Sequence, residues 1–105
     1  MKPNGPEEIF KILKPYQKKL RALGVLKLGL FGSYARGESK ETSDLDFLVE
    51  LEHETFDSYI NLKAFLEDLF GVEVDLVLVD AIKPRLKETI LGETIYAPWI
   101  LSVKK

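Results

Sequence analysis

The sequence predicts a small α/β (α+β) domain, built on a mixed β-sheet of three or more strands with flanking helices. Two observations support this class. Stretches whose apolar residues recur at helical spacing predict helices, and the short apolar or alternating runs between them predict strands. Glycines stand at several of the boundaries. With 105 residues, the chain has the length of one domain, so residues 1–105 are expected to form a single unit.

The first predicted element is an amphipathic helix over residues 7–23. Its apolar residues recur at nearly helical spacing: Ile9, Phe10, Ile12, Leu13, Tyr16, Leu20 and Leu23. Pro15 should break or kink this helix, because proline lacks an N–H and its ring crowds the preceding turn. Gly24 is expected to end it.

Two strands are predicted next. The run 25–31 is apolar, a turn covers 32–37, and residues 44–51 alternate between the two faces of a strand. One face of this second strand carries Leu45, Phe47, Val49 and Leu51, and the other carries Asp44, Asp46, Leu48 and Glu50. The short connection between the two strands favours an antiparallel pair.

The second half of the chain predicts a helix over 55–70 ended by Gly71, a strand over 72–79, and a helix over 84–91. The side chains expected to pack inward from the first of these helices are Phe56, Tyr59, Ile60, Leu62, Phe65, Leu66, Leu69 and Phe70. Because a helix joins the second and third strands, these strands should be parallel. A parallel pairing could bring Asp46 and Asp75 side by side.

The boundaries of the last helix follow from capping residues. Asp80 is a plausible N-cap, and Gly92 is expected to close the helix. The tail from residue 93 onward shows no clear pattern.

The composition argues against several classes of protein. The net charge is −2, with 15 basic and 17 acidic residues, so a nucleic-acid partner is disfavoured. No apolar run approaches the ~18–20 residues that cross a bilayer, so no membrane association is expected. The absence of cysteine excludes disulfides and thiolate metal sites, and a single histidine argues against a His-based zinc site. With no export signal at the start, we expect the cytoplasm.

Acidic residues form the first candidate site. Asp44 and Asp46 share a strand face and repel each other unless a cation lies between them, and Mg²⁺ takes such oxygen ligands. Asp75 from the neighbouring strand would complete a cluster of three, with Glu73 as the alternative. Asp44 could instead be a turn residue, Asp46 a solvent-facing one, and Asp75 a buried carboxylate paired with a lysine.

A phosphate-binding turn is the second candidate. Gly32 lets the backbone approach a ligand closely, Ser33 offers a hydroxyl and an N–H, and Arg36 could add a charged fork. The alternatives are a helix cap for Ser33 and a solvated surface residue for Arg36. The turn is not a P-loop, because Gly-x-x-x-x-Gly-Lys-Ser/Thr does not occur.

The run Gly32-Ser33-Tyr34-Ala35-Arg36-Gly37 followed by Ser43-Asp44-Leu45-Asp46 resembles the motif of the DNA polymerase β-like nucleotidyltransferase superfamily. Its form is most similar to the minimal nucleotidyltransferase (MNT) branch, which implies that fold for most of the chain. The resemblance implies that Asp44, Asp46 and Asp75 hold two Mg²⁺ ions. It further implies that Asp75 assists the nucleophile and that Gly32 and Ser33 bind the triphosphate of ATP.

The MNT resemblance also implies a protein adenylyltransferase. Such proteins are often antitoxins that transfer AMP from ATP to a tyrosine hydroxyl of a partner HEPN-domain toxin. On a chain this short, the acceptor site is expected to come from that partner, in a hetero-oligomer, or from an oligomer of the chain itself. Two alternatives stay open: nucleotidyl transfer to a small molecule such as an aminoglycoside, and a non-catalytic antitoxin that neutralises its partner by masking it.

Overall fold

The computed structural model describes residues 5–32 and 45–99. Within those ranges the helices and strands are, in chain order, α1 (Pro6–Leu13), α2 (Gln17–Ala22), β1 (Val25–Phe31), β2 (Leu45–Leu51), α3 (Phe56–Phe70), β3 (Val74–Leu78), α4 (Pro84–Glu93) and β4 (Ile95–Tyr96). The predicted α/β class and the mixed sheet are confirmed. In the same ranges, no helix combines the length and the apolar character that a bilayer span needs.

The first helical region is interrupted where proline predicts it. α1 ends at Leu13, and a 3-10 turn over Lys14–Tyr16 leads into α2. Gly24 then closes α2, since its N–H donates to the carbonyl of Arg21 at 2.9 Å. The break at Pro15 and the stop at Gly24 are both confirmed.

The sheet has the strand order β3-β2-β1-β4. β1 runs antiparallel to β2 and to β4, whereas β2 runs parallel to β3. Both predicted orientations are therefore confirmed, and β2 lies in the interior of the sheet with β3 at one edge. β3 itself is shorter than the predicted strand over 72–79.

The hydrophobic core lies between one face of the sheet and the helices α1, α2 and α3. Its most deeply buried side chains are Ile9, Leu13, Leu20, Leu28, Leu30, Leu45, Phe47, Val49, Leu62 and Leu66. The inward packing predicted for Phe56 and Ile60 is wrong, because these side chains are 75% and 39% exposed. At about 100° per helical residue, Ile60 lies about 120° around α3 from Leu66. Phe56 is the first residue of the helix.

The opposite face of the sheet is polar at its ends and covered at its centre. Leu48 lies on this face with Asp46 and Glu50, as expected, and it is fully buried. Gly29 is its register partner on β1, and the side chains of Thr94 and Tyr96 lie against Gly29. The C-terminal segment therefore shields this part of the face from water, which the alternation within β2 alone could not reveal.

The last helix differs from the prediction at both ends. Asp80 lies in a 3-10 turn over Val79–Ala81 and is not the N-cap of α4, which is Lys83. Gly92 lies inside α4 and does not end it, because the helix continues to Glu93. The segment that follows adds the two-residue strand β4 beside β1.

Candidate active site

The candidate site lies on the face of the sheet opposite the core, at the end of β1 and the start of β2 and β3. Phe31 of β1 is the register partner of Asp46 on β2, and Asp46 is in turn the partner of Asp75 on β3. Residues directly opposite one another on neighbouring strands point to the same face. The predicted juxtaposition of Asp46 and Asp75 is confirmed at the level of strand register.

Gly32 lies directly against Asp46. It has a φ of +81°, and a Cβ added to it would lie 3.1 Å from the Asp46 Cγ and still closer to the Oδ2. A side chain at position 32 would therefore both strain the backbone and displace the carboxylate. The glycine is required here by two independent conditions, and it lies in direct contact with an acidic side chain.

The edge strand β3, which carries Asp75, is held by side chains of α3. Glu67 Oε2 accepts from the Val74 N–H at 3.0 Å, Lys63 Nζ donates to the Val74 carbonyl at 2.8 Å, and the Tyr59 hydroxyl donates to the Leu76 carbonyl at 2.9 Å. These bonds satisfy backbone groups that an edge strand would otherwise present to solvent or to another strand. They also tie the backbone of β3 to α3.

Charge within this edge is balanced by an ion pair. Lys63 Nζ lies 3.1 Å from Glu67 Oε2. The hydrogen bond with Glu67 raises the pKa of Lys63, and the charge of Asp75 contributes in the same direction. The pKa of Glu67 is lowered, first by the hydrogen bond from the Val74 N–H and then by the one from Lys63. Glu67 and Asp75 therefore both favour the charged form of Lys63.

Asp75 differs from one of the alternatives considered for it. A buried carboxylate paired with a lysine was one possibility, but Asp75 is exposed. Its neighbours Val74 and Leu76 are buried because they point to the other face. The apolar surroundings in the sequence thus reflect alternation along β3, and Asp75 itself faces the open side of the sheet.

The alternative third carboxylate, Glu73, occupies a less favourable place. It precedes β3 and is exposed, and its backbone carbonyl accepts from the Leu45 N–H at 3.1 Å. Asp75, in contrast, lies directly beside Asp46 in the register. The geometry therefore favours Asp75 as the partner of Asp46.

Glu93 is a residue of this region that the sequence analysis missed. It is the last residue of α4, and its Oε2 accepts a hydrogen bond from the Gly32 N–H at 3.3 Å across 61 positions of the chain. The sequence signal at this point was Gly92, which suggested a helix end and nothing more. Only the pairing of β4 with β1 brings Glu93 to the turn.

Three of the predicted site residues cannot be placed. Ser33, Arg36 and Asp44 lie outside the described residues, so their predicted roles stay predictions. Gly32, Asp46 and Asp75 lie within the described ranges, and the structure brings these three together.

The described carboxylates fit a magnesium ion. Mg²⁺ is usually held by one or two carboxylates together with water and substrate phosphates, and Asp46 and Asp75 supply oxygen donors on one face of neighbouring strands. Across residues 5–32 and 45–99, no cluster of three or more His, Cys, Asp or Glu side chains forms a metal site by itself. The third predicted ligand, Asp44, belongs to the part of the chain outside those ranges.

Comparison with known proteins agrees with this geometry. Residues 7–97 match the family model described as a nucleotidyltransferase domain. The chain is 45% identical over 92 residues to the protein adenylyltransferase MntA of Thermococcus cleftensis, a match that covers 86% of this chain and 93% of that protein.

Two solved structures show the same fold. One, described as a minimal nucleotidyltransferase, is 38% identical with a TM-score of 0.69, and the match covers 82% of this chain and 93% of that one. The other is an MNT antitoxin in complex with a tri-AMPylated HEPN toxin from Shewanella oneidensis. The matched chain of that complex is 19% identical, with a TM-score of 0.54 and coverage of 80% and 70%.

Proposed function

The chain belongs to the nucleotidyltransferase domain family, and we propose that it is a magnesium-dependent protein adenylyltransferase that acts as an antitoxin. In this proposal it transfers AMP from ATP to a tyrosine hydroxyl of a partner HEPN-domain toxin. The observation that carries the proposal is the register pairing of Asp46 with Asp75 beside the turn at Gly32.

The reaction needs an acceptor oxygen to attack the α-phosphorus of ATP, with pyrophosphate as the leaving group. Asp75 is exposed on the open face of the sheet, where it can accept the proton of the incoming hydroxyl. Asp46, together with Asp44, would hold magnesium on the triphosphate side. When bound, Mg²⁺ would neutralise the charge on the phosphates and lower the pKa of the attacking hydroxyl.

The nucleotide would be held by the turn that begins at Gly32. Gly32 allows close approach of the backbone, Ser33 would donate to the phosphates, and Arg36 would add a positive charge. Positioning and charge stabilisation supply most of the rate in phosphoryl-type transfer, because the protein forms no bond to the moving group. A site of few residues on a rigid sheet is sufficient for that task.

The partner is proposed from the relatives. The curated relative is named a protein adenylyltransferase, and the matched complex pairs an MNT antitoxin with an AMPylated HEPN toxin. We extend this pairing to the present chain as part of the proposal. We also propose that residues 1–105 act as one domain and that the protein works in the cytoplasm, where a chain without cysteines needs no oxidising environment.

Intact-mass spectrometry tests the proposal. The purified chain, incubated with its partner, ATP and Mg²⁺, should add AMP to the partner, and tryptic peptides should place the adduct on tyrosine. Asp46→Asn should lower the transfer rate by about a thousandfold or more, since several kcal/mol of charge stabilisation are lost at about 1.4 kcal/mol per tenfold. Asp68→Asn, an exposed position on α3, is the matched control and should keep the wild-type rate.

Two outcomes would replace the proposal. No adduct with the partner, but nucleotidyl transfer to an aminoglycoside in a substrate screen, would establish a small-molecule enzyme. Neutralisation of the partner that survives Asp44→Ala combined with Asp46→Ala would establish masking without catalysis.

A further inference from the structure

The contact between Glu93 and Gly32 continues the β1–β4 ladder in an unusual way. Gly29 pairs with Tyr96 and Leu30 with Ile95. Two further steps in this antiparallel register place Gly32 opposite Glu93. At that point the chain is already in α4, of which Glu93 is the last residue, and it is the side chain of Glu93 that accepts from the Gly32 N–H.

We infer that Glu93 is a positioning residue for the active site, resting on the proposed function. Its carboxylate holds the backbone of Gly32 in the position where Gly32 contacts Asp46. Through this contact the end of α4 is connected to the residue proposed to hold magnesium.

The close packing at Gly32 makes this position sensitive. Gly32 and the Asp46 carboxylate are already at contact distance, so a shift of Gly32 must move the carboxylate or open a gap beside it. A displacement of about 1 Å in a reacting site can cost about a hundredfold in rate. A hydrogen bond that restrains the turn therefore bears on the chemistry more than on the stability of the fold.

The packing of α4 separates a positioning role from a structural one. None of its residues is buried, so α4 contributes little to the core. Removing the Glu93 side chain leaves no cavity in that core. If the bond mattered only to folding, its loss would lower the melting temperature and leave the rate of the folded enzyme unchanged.

The test compares Glu93→Ala with Glu93→Gln. Glutamine keeps a carbonyl oxygen that can accept from the Gly32 N–H but carries no charge, whereas alanine removes the acceptor. Glu88→Ala is the matched control, because Glu88 is an exposed glutamate on the same helix. Amide hydrogen exchange at Gly32, followed by NMR, reports the contact directly, and AMP transfer with varied ATP gives kcat and KM.

Glu93→Ala should speed exchange at Gly32 and lower kcat by about tenfold or more, with KM for ATP changed by less than about threefold. Glu93→Gln and Glu88→Ala should stay within about threefold of the wild-type chain in kcat. Melting temperatures should be similar for all of these proteins.

Three results would overturn the inference. Unchanged exchange at Gly32 in Glu93→Ala would show that the contact does not hold the amide. A wild-type kcat in Glu93→Ala, or an equal loss in Glu93→Gln, would show that the hydrogen bond does not position the site. A wild-type chain that transfers no AMP would instead refute the proposed function, and the role of Glu93 in catalysis with it, while the exchange rates would still decide the contact.

Discussion

Helix side chains bond to backbone groups near both edges of the sheet, but the two edges differ in how these helices are held. On the β3 side, Glu67, Lys63 and Tyr59 of α3 bond to outward-facing backbone groups of the edge strand. On the β4 side, Glu93 at the end of α4 bonds to the Gly32 N–H. In each case a glutamate accepts a hydrogen bond from a backbone N–H, but the two helices that carry these glutamates are packed into the core to very different degrees.

α3 is part of the core, and α4 is not. Leu62, Leu66 and Phe70 of α3 are buried beneath the sheet, whereas α4 has no buried residue and its Leu86 is 46% exposed. The site draws on both helices. Asp75 lies on β3, which is bonded to α3, and Gly32 is bonded to Glu93 of α4. The difference teaches that the stability of the fold and the geometry of the site depend largely on separate contacts.

The largest expected difference is in the free energy of unfolding when a leucine of α3 or of α4 is replaced by alanine. Leu66→Ala should lower the free energy of unfolding by about 2–5 kcal/mol, since it empties a fully buried position. Leu86→Ala, the same substitution on α4, should change it by less than about 1 kcal/mol. Urea denaturation of both variants measures the contrast, and equal losses would show that α4 is as strongly anchored as α3.

Glycines with positive φ sharpen the comparison. Gly32 and Gly71 have φ of +81° and +69°, so backbone strain should make alanine at either cost about 1–2 kcal/mol of stability, with the displacement of Asp46 adding to the cost at Gly32 alone. Nothing lies within 4 Å of a Cβ at Gly71, whereas Asp46 occupies that space at Gly32. Only Gly32→Ala should therefore lose AMP transfer.

Loss of transfer in folded Gly32→Ala, with the wild-type rate kept by Gly71→Ala, would support that separation. Full transfer by Gly32→Ala would contradict the contact between the turn and Asp46.

The smallest expected effect is a pH dependence at the α3 side. The pKa of Glu67 lies below the ordinary 4.5 in the folded chain, so its ionised form stabilises the fold above that pH. This contribution should fade as the pH falls from 4.5 through the lower folded pKa. Thermal unfolding across this range should show the stability advantage of the wild-type chain over Glu67→Gln shrinking with acid.

Glu88→Gln controls for the loss of one surface carboxyl group. An advantage that stays constant with pH would show that the ionised carboxylate of Glu67 is not what Val74 and Lys63 stabilise.

Local patterns in the sequence were sufficient for most of the fold. The break at Pro15, the strand directions and the pairing of Asp46 with Asp75 follow from proline chemistry, connection length and alternation. Errors arose where tertiary contacts decide. Phe56 and Ile60 of α3 carry apolar side chains that are exposed. The burial of Leu48, which lies on the face where it was expected, likewise depends on a segment far along the chain.

The site was predictable in part for the same reason. The aspartates and the glycine can be recognised in the sequence from their residue types and their spacing. The strand register then brings Gly32, Asp46 and Asp75 together. Glu93 could not be found this way. Its role depends on a two-residue strand that has too few positions to show any periodicity.

The most direct test of the account compares two neighbouring carboxylates in single-turnover AMP transfer to the partner. The account predicts that Asp75→Asn, beside Asp46, loses transfer, whereas Glu73→Gln, two residues earlier, keeps the wild-type rate. Both variants should unfold at the wild-type temperature. A wild-type rate in Asp75→Asn would contradict the central claim that the carboxylates of β2 and β3 act together.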